Sequence, residues 1–125
     1  MEKKTEVNIM LYSAKKDFDA QKAIRFFKER RIPCTEVDLK KHKPGKREIA
    51  LFIRAAGSAR ELVDRKSTRV LSHPVAYTDD ENVIIEYFME DPTLMRLPII
   101  RNGDRVTLGA DEAKWKEWIE KEAIR

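Results

Sequence analysis

Two strand-length apolar segments separated by one amphipathic helix constrain this chain more than any other feature. Val7-Asn8-Ile9-Met10-Leu11-Tyr12 has the length and composition of a strand buried on both faces, as a parallel sheet requires. After the polar stretch Ser13–Asp17, Ala20, Ala23, Ile24 and Phe27 recur at helical spacing as far as Arg30. Asp19 is the expected N-cap, and Arg30, Arg31 and Pro33 are the expected stop, with cations at the negative end of the helix dipole. Cys34-Thr35-Glu36-Val37-Asp38-Leu39 then alternates as a second strand does. A β-α-β unit of this size predicts two parallel strands joined by a right-handed crossover.

The remainder reads with equal economy. Lys43-Pro44-Gly45 is a turn, and Ile49, Phe52, Ile53 and Ala56 form one helical stripe that Gly57 closes. Ser58–Glu61 is a capping box opening a short helix through Leu62 and Val63, and Thr78–Glu81 is a second, before Val83, Ile84, Tyr87 and Phe88. Asp91-Pro92 ends that helix. Leu97–Arg101 and Arg105–Leu108 flank Asn102-Gly103-Asp104, a hairpin signal that predicts antiparallel strands. Gly109 ends the sheet, and Asp111 caps a last helix with Trp115, Trp118 and Ile119 on one face, expected to be core.

Composition narrows the function classes. At 125 residues the expectation is one domain over 1–125. Lys plus Arg number 26 against 22 Asp plus Glu, a net charge of only +4 with the signs interspersed, which argues against direct nucleic-acid binding. The block Lys40–Arg47 is the exception, a run of one sign suited to an acidic partner. No apolar run approaches the roughly 18–20 residues of a membrane span, and the first residues lack a signal-peptide pattern, so a cytoplasmic location is expected. One cysteine, Cys34, excludes an internal disulfide and a cysteine-built zinc site, and two scattered histidines suggest no metal. His73 is expected to be a loop residue, Asp17 and Asp19 capping groups, and Cys34 a half-buried strand residue.

The order β-α-β-α-α-α-β-β-α, with Pro98 opening the third strand, resembles a thioredoxin fold. That implies an α/β protein with a four-stranded mixed sheet, flanking helices and a helical insertion at about 46–91 between its βαβ and ββα halves. Several segments are further similar to the arsenate reductase (ArsC)/Spx-like family. They are the run Tyr12 to Ala23, Glu90-Asp91-Pro92-Thr93-Leu94, Leu94-Met95-Arg96-Leu97-Pro98-Ile99-Ile100, and the strand, glycine and helix from Val106 to Ile119.

The resemblance implies a cysteine nucleophile at the start of the first helix. Here that position is Asp17, and the second redox position is Ala20. It implies an arginine immediately before a cis-proline, where this chain has Leu97-Pro98, and a further arginine where it has Gly109. An inserted-helix arginine has its counterpart in Arg65. The expectation is therefore a redox-inactive member that binds a protein or ligand through Ser13, Lys15, Lys16, Asp17, Arg65, Leu97 and Pro98, with the basic block beside them and without cofactor or metal. By analogy with the Spx branch the partner would be RNA polymerase, and a small anion or glutathione is the other candidate. The alternative is an arsenate reductase-like or glutathione-dependent thiol oxidoreductase relying on Cys34.

Overall fold

The computed structural model describes residues 8–15 and 17–124; Val7 and Lys16 of the expected strand and loop lie outside them. The β-α-β unit forms as expected, with β1 (Ile9–Ser13), α1 (Phe18–Glu29) and β2 (Cys34–Asp38). β2 runs parallel to β1, Ile9 beside Cys34 and Ser13 beside Asp38. α1 ends on Arg31 at φ +56°, where the amides of Arg31 and Ile32 bond back to Lys28 and Phe27. This is a Schellman closure with arginine in the position glycine usually fills.

Four helices follow: α2 (Lys46–Ala56), α3 (Ala59–Leu62), α4 (Thr68–Leu71) and α5 (Glu81–Glu90), with single 3₁₀ turns at Pro74–Tyr77 and Pro92–Leu94. The sequence reading has only three helices here and misses α4 and both 3₁₀ turns, because segments this short carry no full helical period. β3 (Ile99–Asn102), β4 (Arg105–Leu108) and α6 (Glu112–Ile124) complete the fold, and Pro98 precedes β3 rather than opening it. The sheet order is β2-β1-β3-β4, with β3 antiparallel to both β1 and β4. Between Asn102 and its partner Arg105 stand Gly103 and Asp104, so the hairpin turn centres one residue later than Asn-Gly. Gly103 takes the positive φ of +65°.

Strand alternation sorts the core into two layers. Ile9, Leu11 and Ile100 face α1 and α6, packing on Phe26, Phe27, Trp115 and Trp118. Tyr12 and Ile99 face the inserted helices, packing on Ile49, Phe52, Leu62, Ile84 and Phe88. Trp115 is fully buried, and its indole N–H donates to Thr107 Oγ1 at 3.0 Å, so both tryptophans are core. At the centre, the Tyr12 hydroxyl donates to Glu48 Oε2 at 2.7 Å, and Arg101 Nη1 lies 3.1 Å from that hydroxyl. A polar clasp thus joins β1, α2 and β3 beneath the inserted helices.

Candidate functional site

The candidate site begins where β1 runs out. Ala14 and Lys15 follow the strand, and the extended backbone at Asp17 (ψ −173°) makes it the N-cap of α1. Its Oδ1 accepts from the Ala20 amide at 2.9 Å. This corrects the expected cap, Asp19, which lies inside the first turn; its Oδ2 is 3.5 Å from where a side chain at Gly109 would begin. At α5 the cap is likewise Asp80 rather than Thr78, whose hydroxyl instead accepts from the Asp80 amide.

The second wall carries Leu97, and the Leu97-Pro98 bond is cis; Pro98 is buried and its carbonyl accepts from the Gly109 amide at 2.8 Å. Two strips of backbone hold the third wall. Asp64 N donates to Leu94 O and Arg96 N to Leu62 O, an antiparallel contact centred on the Val63–Met95 bridge. It draws Asp64–Arg69 up beside Leu97. The result is an open groove of about 870 Å³ whose floor includes Leu39, Pro92 and Met95. Exposed Lys15, Lys40, Lys43 and Lys66 line it together with the carboxylates of Asp17, Asp64 and Glu90.

One side of the groove is braced by a cluster the sequence reading did not find. Arg69 Nη2 donates to Thr93 Oγ1 at 2.7 Å and its Nη1 reaches Asp91 Oδ2 at 3.4 Å, while the Thr93 amide donates to Asp91 Oδ1. Burial pushes the Asp91 carboxyl up, but the Thr93 hydroxyl and amide and the Arg69 guanidinium outweigh it and hold the group below the usual aspartate range. In the sequence, Asp91-Pro92 is legible as a helix stop and Glu90–Leu94 as a segment of the family resemblance, but neither signals the bond to Arg69.

The expected site residues are only partly brought together. Lys15, Asp17 and Leu97 share the groove. Ser13 is buried at the end of β1, its carbonyl accepting from Leu39 N, and Lys16 lies outside the described residues. Arg65 lines a neighbouring hollow of about 420 Å³, shared with Asp19, Arg96 and Gly109, and Leu97 divides the two. Its guanidinium donates to Ala76 O at 2.9 Å, away from Asp17. His73 caps the first 3₁₀ turn through Nδ1 and stacks edge-on against Tyr87, as a structural loop histidine does.

Cys34 stands apart from the groove. It pairs with Ile9, at the opposite end of β1 from the loop, so the strand alone separates them by about 13 Å at roughly 3.3 Å per residue. Burial, then the Glu36 carboxylate, pushes its thiol up to about 11.

The sequence pattern of the ArsC family matches residues 12–118, most of the chain. The chain belongs to the ArsC family. Solved structures of similar fold include an ArsC-related protein from Brucella melitensis, 18% identical, covering 90% of this chain and 94% of that one at a TM-score of 0.62. The arsenate reductase from Vibrio cholerae is 12% identical, covering 81% and 88% at 0.69. A protein from Staphylococcus aureus COL is 24% identical, covering 87% and 96% at 0.67. No curated protein sequence matches at comparable significance. The ArsC-family assignment and the sheet order agree on a thioredoxin-like α/β fold, in which Asp17 and Leu97 both line the groove.

Proposed function

We propose that this ArsC-family chain is a binding module without thiol chemistry, a regulatory protein of the cytoplasm that takes a polypeptide or a small anion in the groove between Asp17 and Leu97. The observation that carries the reading is the group at the start of α1. Where the family resemblance implies a sulfur nucleophile, this chain has the Asp17 carboxylate, already engaged by the Ala20 amide. A carboxylate can neither exchange with a disulfide nor donate two electrons to arsenate. The single thiol, Cys34, lies at the other end of the sheet and is held protonated. A groove with apolar floor and charged walls, and no thiol among its lining residues, supports recognition.

A second reading, an arsenate reductase or glutathione-dependent oxidoreductase, is favoured by the Vibrio cholerae relative, named as an arsenate reductase. It requires Cys34 to turn over. The discriminating experiment measures arsenate and mixed-disulfide reduction by the purified chain with glutathione or dithiothreitol. The expected rate equals the protein-free blank for wild type and for Cys34→Ser alike. Thiol-dependent turnover that Cys34→Ser abolishes would overturn the binding reading. At pH 8, iodoacetamide should label Cys34 at least about tenfold more slowly than an ordinary thiol of pKa 9.0, because a pKa of about 11 leaves far less thiolate and the greater reactivity of the more basic thiolate recovers only part of that loss.

A further inference from the structure

We propose that the basic loop 40–47 and the groove beside it form one docking surface for an acidic polypeptide segment. This rests on the binding reading above and adds the class of partner.

Charge left without a partner is the first observation. Lys40, Lys41, Lys43, Lys46 and Arg47 are all exposed, and among the described residues none forms an ion pair. Other described cations, Lys66 and Arg96 among them, also lack an ion pair, so it is the gathering of five within eight residues that sets this loop apart.

The second observation is where two of these cations stand. Lys46 and Arg47 open α2, at the positive end of its dipole, where local electrostatics favours acids. The acidic residue of that turn, Glu48, does not neutralise them. Its carboxylate accepts from the Gly45 amide at 2.9 Å and from the Tyr12 hydroxyl, and lies 3.5 Å from Arg101 in a half-buried pair. Burial acts to raise the Glu48 pKa, but these hydrogen bonds with the Arg101 and His42 charges keep it below the usual range, so it remains an anion committed inward. The loop therefore presents cations against the preference of its own helix.

Continuity with the groove is the third. Lys40 and Lys43 belong to both the loop and the groove wall, and beyond them lie the apolar Leu39, Met95 and Leu97. Positive charge at one end and apolar surface at the other match an extended chain with several carboxylates followed by an aliphatic side chain. A nucleic acid fits less well. Neither the loop nor the groove lining contains a Phe, Tyr or Trp for base stacking, His42 being the one aromatic ring in the loop.

The test titrates the full ¹⁵N-labelled chain with a dodecapeptide of alternating Asp and Glu carrying one central Leu. A Ser/Asn peptide with the same Leu, and an oligouridylate of equal length, serve as controls. The expected result is saturable amide shifts confined to residues 13–17, 40–47 and 64–69 for the acidic peptide, weakening with salt. The combined variant Lys41→Glu, Lys46→Glu and Arg47→Glu, which leaves the groove lining intact, should weaken binding at least about tenfold, and the corresponding Gln variant by an intermediate amount. Unchanged affinity in a Glu variant with a dispersed, folded spectrum overturns the proposal, as does absence of saturable shifts at millimolar peptide. Oligouridylate binding as tightly as the acidic peptide overturns it equally. None of these outcomes revives the reductase reading, which only thiol-dependent turnover would restore.

Discussion

Asp17 illustrates how one residue carries both the fold and the functional argument. Its carboxylate accepts the Ala20 amide, one of the N–H groups that the first turn of α1 leaves without an intrahelical partner. Asparagine supplies the same acceptor, so Asp17→Asn should keep the unfolding free energy within a few tenths of a kcal/mol, whereas Asp17→Ala should cost about 1 kcal/mol. Urea denaturation of both variants checks this, and equal losses would mean that charge rather than capping is the contribution. The sequence offered two aspartates, Asp17 and Asp19, as caps. Backbone conformation chose between them, because only Asp17 has the extended geometry that turns its side chain back on the helix. Capping preference states which residue types serve, and the path of the loop states which one does.

At the scale of the element, α2 sets stability against recognition. Lys46 stands at the positive end of the helix, so Lys46→Glu replaces an unfavourable charge with a favourable one, each such interaction being worth about 0.3–1 kcal/mol. The variant should therefore melt at a higher temperature than wild type while binding the acidic peptide more weakly. A lower melting temperature would show that Lys46 has a structural partner instead. The amphipathic helices α1, α2, α5 and α6 were legible in the sequence because each shows its own buried stripe over several turns. The contact of residues 62–64 with 94–96 was not. It consists of backbone hydrogen bonds between segments about thirty residues apart, and neither segment has a pattern of its own to announce it.

At the scale of the whole molecule, the four shifted groups among the described residues set the pH dependence of stability. Glu48 and Asp91 titrate below their ordinary values of 4.5 and 3.8. A depressed carboxyl stabilises the fold fully above its unfolded pKa, and the contribution disappears as pH falls through the folded value. Tyr12 is raised from 10.0 to about 12, by burial first and then by Glu48, and Cys34 from 9.0 to about 11. Raised groups act in the opposite sense: their contribution is whole below the unfolded pKa and is lost as pH climbs through the folded one. The urea midpoint should therefore be flat from about pH 5 to about pH 9, falling on both sides. Cys34→Ser should flatten the alkaline decline between pH 9 and 11, and Tyr12→Phe that between pH 10 and 12. An alkaline limb unaltered in both variants would assign it to other groups.

The sequence by itself determined the β-α-β unit, the antiparallel hairpin, the two tryptophans as core, and the absence of sulfur at the start of the first helix. Each of these is written in neighbouring residues, through periodicity, capping types or simple identity. Only the tertiary structure decided that Lys15, Asp17 and Leu97 share one groove while Arg65 turns to Ala76, that Arg69, Asp91 and Thr93 brace its wall, and that Cys34 lies at the far end of the sheet. Periodicity reports whether a segment is buried. A groove, by contrast, forms between segments distant in the chain, and its geometry is fixed by how their buried faces pack together.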